Sequence, residues 1–152
     1  MLGPVELVAT DGSHVVLQGN KMRGLLAALA LEGGRAVSSE RLIDTLWGEQ
    51  EVSGANVVQV LVSKLRRVVA ATGEPDLVAT TPAGYQVVTG TATIDLTLFE
   101  SLVDQARSAD DPGASAVLLE RALGLWRGAP LGGAPDTEVL AGVRTRLMEM
   151  RN

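Results

Sequence analysis

The stretch Ser53–Ala70, SGANVVQVLVSKLRRVVA, carries the side chains best suited to binding an anion. Lys64, Arg66 and Arg67 lie close together within it, and no acidic residue occurs in 52–73. In a chain with a formal net charge of −5, this acid-free basic stretch favours an anionic partner. A solvated amphipathic helix without a partner is the alternative, because basic helical faces are common on protein surfaces.

The spacing within this stretch predicts a helix with two faces. Apolar residues recur at intervals of three and four, which places them on one side, where they can pack into a core. Polar and basic residues keep the same spacing on the opposite side, and Arg66 lies at the edge of the apolar stripe. The apolar face comprises Val58, Val62, Leu65 and Val69, and the opposite face comprises Asn56, Val60, Ser63, Lys64 and Arg67.

Composition argues against enzymatic chemistry. The chain has no cysteine, and its single histidine, His14, has no second histidine with which to bind a metal or activate a nucleophile. Asp110 and Asp111 are adjacent carboxylates, but they precede Pro-Gly and indicate a helix stop, not an acid/base pair. We therefore expect no enzymatic activity and no cofactor or metal ion.

Length and hydropathy limit the class of protein further. The 152 residues suffice for one compact domain, or for one small domain and part of a second. No apolar run approaches the roughly 20 residues that span a bilayer, and no basic region followed by an apolar segment opens the chain. We therefore expect a cytoplasmic protein without membrane contact. The net charge is −2 over 1–90 and −3 over 91–152, which does not exclude DNA binding, because phosphate attraction is screened over about 10 Å.

The segments before the basic stretch predict a helix-turn-helix that follows a β-hairpin. An Asp-Gly turn between the apolar runs 1–7 and 14–17 predicts the hairpin. Three short helices then follow, and the basic stretch is the third. The predicted caps are Asn20 for a first helix over 21–31, Ser38 or Ser39 for a second helix that Gly48 ends, and Ser53 for the third.

The segment GEPDLVATTPAGYQVV, after the third helix, predicts two strands joined by a Pro-Ala-Gly turn. Such a hairpin is a wing, which contacts the DNA backbone or minor groove while the third helix enters the major groove. Alternatively, the hairpin closes a sheet with the first two strands. Both arrangements are compatible with Tyr85 anchoring the hairpin in the core.

Beyond Gly90 the pattern is purely helical. A helix capped by Asp95 stops at 110–113, a second runs through ASAVLLERALGLWRG, and a third covers 137–150. The first two helices are predicted to form an antiparallel pair that resembles a tetratricopeptide-type repeat. Arrays of such repeats usually need about three repeats to bury their apolar faces, so we expect this segment to be truncated or completed by another chain. The residues predicted to pack inward are Phe99, Leu102, Val103 and Ala106, then Ala116, Leu119, Leu123 and Trp126, and finally Val139, Leu140, Val143 and Leu147.

Seven segments, in order along the chain, resemble signatures of the Streptomyces antibiotic regulatory protein family: LGPVEL, KMRGLLAALAL, GRAVSSERLIDTLWGE, NVVQVLVSKLRR, TTPAGYQVV, DLTLFESLVDQAR and ALGLWRGAPL. The resemblance implies an α+β fold with an OmpR-type winged-helix DNA-binding domain over 1–90. Tetratricopeptide-like helices that begin a bacterial transcriptional activator domain would follow over 91–152. It also implies an activator of antibiotic biosynthesis genes that binds direct repeats near the −35 promoter region, often as a tandem pair, and recruits RNA polymerase holoenzyme.

The resemblance also assigns DNA contacts by position. Asn56 and Ser63 can hydrogen-bond to base edges, and Val60 can contact a thymine methyl group. Lys64, Arg66 and Arg67 are better suited to contacts with phosphates. Trp47 matches a backbone-contacting position, although a place in the core is the alternative. The expected base contacts are Asn56, Val57, Val60, Ser63 and Lys64, and the expected phosphate contacts are Ser38, Ser39, Trp47, Arg66, Arg67, Thr80 and Thr81.

Two departures from the family pattern affect these contacts. Thr80 and Thr81 stand where many relatives have an arginine, which weakens a minor-groove contact and leaves hydroxyl-to-phosphate bonds. Leu61 replaces a residue that is often histidine, and so argues against a polar contact at that flank.

Two functional hypotheses remain open at this point. The first is a sequence-specific DNA-binding transcription activator. The second is a protein-interaction module that docks on RNA polymerase or another regulator without specific DNA binding. Acidic residues beside the DNA-binding helices are candidates for a polymerase contact, namely Asp44, Glu49 and Glu51.

Overall fold

The computed structural model describes residues 1–9, 11–15, 17–50, 52, 56–73, 76–88 and 94–151. Over this part of the chain, six helices and two antiparallel two-stranded sheets form the expected α+β fold. In chain order the elements are β1 (Leu7–Val8), β2 (His14–Val15), α1 (Asn20–Leu31), α2 (Ser39–Trp47), α3 (Val57–Ala70), β3 (Val78–Thr81), β4 (Gly84–Val87), α4 (Asp95–Ser108), α5 (Pro112–Gly124) and α6 (Glu138–Arg151). We call residues 1–88 the winged-helix part and residues 94–151 the helical part.

Both predicted hairpins form, but the first strand is only Leu7–Val8 and not 1–7 as predicted. The hairpins stay in separate sheets: β1 pairs with β2, and β3 pairs with β4. The alternative of one shared sheet is therefore wrong. Instead, β4 joins the loop before α2 through reciprocal backbone hydrogen bonds between Val37 and Tyr85, with N···O distances of 2.7 and 2.9 Å. Gly84 permits this approach, because its φ is 139° and a Cβ there would collide with the Val37 carbonyl. Tyr85 is buried, as predicted.

Helix α1 lies at the centre of the winged-helix part, where it contacts α2, α3 and β4. Leu25 and Leu29 of α1 are completely buried. The predicted apolar face of α3 packs into the same core, which leaves the opposite face of α3 free. The buried residues of α3 are Val58, Val62, Leu65 and Val69.

The predicted boundaries of α2 are correct. The hydroxyl of Ser38 caps α2, and Gly48, with a φ of 59°, ends it. The predicted caps Asn20 and Asp95 are wrong, because each is the first residue of its helix and not the residue before it. Ser53 lies outside the described residues.

The first five residues pack on the helical part. The N–H of Val5 donates to the Gly132 carbonyl at 2.8 Å, and the N–H of Leu131 donates to the Met1 carbonyl at 2.9 Å. The side chain of Asp95 accepts the N–H of Leu2 at 2.9 Å. Since Leu2 and Leu131 are fully buried, the two parts share one apolar core.

A second contact joins α1 and α2 to the start of α6. The hydroxyl of Thr137 donates to the Thr45 carbonyl of α2 at 2.5 Å and accepts the N–H of Leu140 in the first turn of α6. Gly24 of α1 lies where these elements meet. A Cβ at Gly24 would lie 2.5 Å from Leu46 Cδ2 and 2.7 Å from Pro135 Cδ.

Helices α4 and α5 form the predicted antiparallel pair. At one end the Ser115 hydroxyl donates to the Ala106 carbonyl at 2.9 Å, and at the other end Phe99 and Trp126 pack edge to face with ring centroids 5.7 Å apart. On α4 the predicted inward residues are correct: Phe99, Leu102 and Ala106 are buried, and Val103 is half-buried.

The predicted packing face of α5 is wrong. Ala122 is the buried residue of α5, with Leu118 and Leu125 half-buried beside the core. This helix is apolar on several sides, so the spacing of its apolar residues does not select one face. Trp126, beyond the end of α5, does pack as predicted. Four residues predicted to pack inward are exposed, namely Ala116, Leu119 and Leu123 on α5 and Val139 on α6, whereas Leu140 and Leu147 are buried and Val143 is half-buried.

Candidate nucleic-acid interface

The outer face of α3 brings most of the predicted base-contacting residues together. Val60 is 47 % exposed, and Val57 is half-buried at the flank. Because the opposite face is locked in the core, the helix presents these side chains in a fixed orientation. The exposed residues of the predicted face are Asn56, Val60, Ser63, Lys64 and Arg67.

Gln59 also lies on this face, although it is not among the residues predicted from the sequence. It is exposed, and it falls three residues after Asn56 and four before Ser63. The same spacing rule that found its neighbours would have found it. A glutamine amide both donates and accepts hydrogen bonds, which suits the N6/N7 edge of adenine.

Arg66 bonds to the wing, unlike the other two basic residues of α3. Its Nε donates to the Val78 carbonyl at 3.1 Å, and its Nη2 donates to the Thr80 hydroxyl at 2.7 Å. Lys64 and Arg67 are exposed and form no ion pair with any described residue. Arg66, which was expected to contact phosphate, thus has two hydrogen-bond partners within the protein.

The wing has a tight, uncharged tip. The hydroxyl of Thr81 accepts the Ala83 N–H at 3.2 Å and lies 3.3 Å from the Gly84 carbonyl, to which it donates. Thr80 is exposed, and no charged residue occurs in 77–88. The wing can therefore offer DNA only hydroxyl groups, one amide side chain and its backbone.

The predicted phosphate contacts on α2 have different surroundings. Ser39 is exposed, whereas the Ser38 hydroxyl accepts the N–H of Arg41 at 3.2 Å as the helix cap. Trp47 is half-buried against the core, and Lys21 Nζ lies 5.3 Å from its ring centroid. Trp47 also borders a cleft of about 300 Å³ against the flank of α3, so it is both a packing residue and a neighbour of the outer face.

The acidic candidates border a groove that shares Asn20, Lys21 and Trp47 with the cleft beside α3. Asp44 and Glu49 are exposed and border a groove of about 870 Å³ between the end of α2 and the start of α6. Asp136 and Glu138 line the same groove. Glu51 lies outside the described residues.

Two negative findings hold for the described ranges. No cluster of three His, Asp or Glu side chains there is placed to hold a metal ion. None of the helices there combines the length and apolarity that crossing a bilayer requires.

Two family descriptions match the chain. Residues 12–87 match "Transcriptional regulatory protein, C terminal", and residues 94–152 match "Bacterial transcriptional activator domain". The chain belongs to the Streptomyces antibiotic regulatory protein family. This family consists of transcriptional regulators, which confirms both the sequence resemblance and the prediction that the chain is not an enzyme.

Individual regulatory proteins and one solved structure are similar to nearly the whole of this chain. The chain is 38% identical to the regulatory protein AfsR of Streptomyces coelicolor, over 99% of its own length and 15% of AfsR. It is 31% identical to the transcriptional regulator RedD of the same organism, over 99% of its own length and 45% of RedD. The structure of Mycobacterium tuberculosis EmbR in complex with a low-affinity phosphopeptide superposes with a TM-score of 0.89 at 30% identity, over 99% of this chain and 41% of EmbR. The chain thus spans less than half of each of these proteins.

Proposed function

We propose that this chain is the sequence-specific DNA-binding part of a transcription activator of biosynthetic genes. The observation that carries the proposal is the outer face of α3, which is polar and basic, anchored by a buried opposite face, and flanked by a wing. This arrangement fits a helix inserted in the major groove of double-stranded promoter DNA, with the wing against the neighbouring backbone.

The chemistry of each side chain determines which part of the DNA it would contact. Asn56 and Ser63 would hydrogen-bond to base edges, and Val60 would contact a thymine methyl group, with Val57 beside it. Lys64 and Arg67 would supply most of the salt-dependent affinity. Further phosphate contacts would come from Ser38, Ser39, Trp47, Thr80 and Thr81 around the helix.

The proposal includes binding to direct repeats near the −35 region as a tandem pair, recruitment of RNA polymerase holoenzyme, and a cytoplasmic location. Recruitment would use the acidic side of the molecule, where Asp44 and Glu49 border the groove between α2 and α6. Exposed carboxylates would attract a basic surface of the polymerase, because opposite charges are complementary across an interface.

Two alanine variants, Lys64→Ala and Arg67→Ala, test DNA binding. We expect each to weaken binding to all duplexes and to reduce the steepness of log K against log salt by about 0.9, because each removes one phosphate contact. Fluorescence anisotropy at several salt concentrations measures both quantities. Arg146→Ala is the matched control, since Arg146 is exposed on α6; slopes equal to wild type in all variants would refute the proposal.

The groove between α2 and α6 favours the second candidate, a module that docks on polymerase without specific DNA binding. A pull-down separates the two functions. Retention of polymerase subunits together with no promoter binding would support the docking module alone. For the activator, we expect Asp44→Lys and Glu49→Lys to reduce transcription in vitro while promoter affinity does not fall.

A further inference from the structure

We propose that Arg66 is a positioning residue for the wing and acts on DNA through the hydroxyl of Thr80, not by a phosphate contact of its own. The inference rests on the proposed function, that the chain binds DNA. It assigns to Arg66 a role different from that of Lys64 and Arg67, although all three are basic residues of α3.

The hydrogen bonds of Arg66 span from α3 to β3. The guanidinium group uses Nε for the Val78 carbonyl and Nη2 for the Thr80 hydroxyl, at 3.1 and 2.7 Å. A planar guanidinium donates in fixed directions, so two such bonds define the orientation of β3 against α3. Val78 is buried and Thr80 is exposed, so the pair of bonds reaches from the core to the surface.

The polarity of the second bond determines what Thr80 can do. A guanidinium only donates hydrogen bonds, so the Thr80 oxygen accepts, and the hydroxyl hydrogen remains available. A phosphate oxygen only accepts. Arg66, Thr80 and a phosphate can therefore form a directional chain, in which the positive charge of Arg66 strengthens the hydroxyl as a donor.

The position of the wing depends on its hydrogen bonds to the rest of the protein. A two-stranded hairpin is marginally stable by itself, and the wing carries no charged residue that could hold it to DNA. The Val37–Tyr85 pairing fastens β4 to the loop before α2. Arg66 fastens β3 to α3, so each strand of the wing is held to a neighbouring part of the winged-helix part.

The test combines anisotropy titrations over a range of salt with footprints of the full chain on promoter DNA. The variants are Arg66→Ala, Thr80→Val, the double variant and Arg67→Ala. We expect Arg66→Ala and Thr80→Val to weaken binding several-fold, with the double variant no weaker than the worse single variant. We expect the salt slope to fall by about 0.9 in Arg67→Ala and by clearly less in Arg66→Ala. In the footprints of Arg66→Ala and Thr80→Val, the protection of DNA by the wing should be lost while the protection by α3 persists. Thr80→Ser, which keeps the hydroxyl, should retain the protection by the wing.

Two results would overturn the inference. One is a slope in Arg66→Ala that falls as far as in Arg67→Ala, with additive losses in the double variant, since Arg66 would then neutralise a phosphate directly. The other is wild-type affinity in Thr80→Val, whose exposed, isosteric side chain keeps the test valid even if Arg66→Ala unfolds. If the wild-type chain bound no duplex, the proposed function would fail and this inference with it.

Discussion

Gln59 and Val60 are neighbours in the chain but lie on opposite flanks of the outer face of α3. Val60 and Lys64 line the cleft beside Trp47. Gln59 precedes Arg66 by seven residues, about two helical turns, and so falls on the flank that faces the wing. The two flanks would therefore meet different base pairs, one through an amide group and the other through an apolar side chain.

A Gln59→Ala variant should lose discrimination at one base pair of the operator. If the amide contacts adenine, the loss amounts to about 1–3 kcal/mol for the A·T pair and much less for the other pairs. Competition with operators substituted at each position measures it, and Gln105→Ala, exposed on α4, serves as control. Equal weakening on every operator would contradict a base-reading role.

On α3 the sequence predicts the setting of single residues well. Spacing alone separates the buried and exposed residues of α3, and a more complete count would have included Gln59. The partner of Arg66 was not predictable in this way. Thr80 lies 14 residues further along the chain, and the bond exists only because β3 packs beside α3.

Among the elements, the local signals were sufficient for α2 and for the wing, whereas in the first hairpin they located the turn but not the extent of the first strand. Ser38 and Gly48 mark the ends of α2, and turn residues mark the hairpins. The face of α5 failed because its apolar residues surround the helix, so tertiary contacts decide which side packs. Asp95 is not the cap because α4 begins one residue earlier than predicted, so that Asp95 is its first residue. Its carboxylate accepts the N–H of Leu96 with one oxygen and the N–H of Leu2 with the other.

Gly24 makes the packing of α1 against its neighbours testable. Alanine improves helix propensity by about 1 kcal/mol, but its Cβ would meet Leu46 and Pro135, and overpacking costs about 1–3 kcal/mol. We therefore expect Gly24→Ala to lower the free energy of unfolding, as measured by urea denaturation. Gly142→Ala is the matched control: a Cβ at Gly142 would have no atom within 4 Å beyond its own stretch of α6, so stability should rise by about 0.4–1 kcal/mol. A Gly24→Ala variant more stable than the wild type would show that α1 is not tightly packed against α2 and the loop before α6.

At the scale of the whole molecule, the two parts are joined by more than the chain between them. Residues 1–5 pair with the loop before α6, and Leu2 and Leu131 lie in the same core. The proposed domains, 1–90 and 91–152, are therefore adjacent in sequence but interlocked in space. Sequence patterns did not predict this, because backbone pairing of the first residues with residues 131–132 leaves no periodic signal.

Co-expression of residues 1–90 and 91–152 as separate chains tests this interlocking. We expect the two to co-purify, and the first chain alone to be prone to aggregation, because Leu2 and Val5 would be exposed. Leu131→Asp in the second chain should abolish the association. Two folded, monomeric fragments that elute separately would show that the shared core is dispensable.

The chain's two tryptophans provide a spectroscopic consequence. Trp47 borders the flank of α3, and Trp126 packs against Phe99 between α4 and α5. Each part thus contains its own fluorophore. With the other tryptophan replaced by phenylalanine, emission from Trp47 would follow occupancy of the outer face of α3, and emission from Trp126 would follow the integrity of the helical part, without any added label.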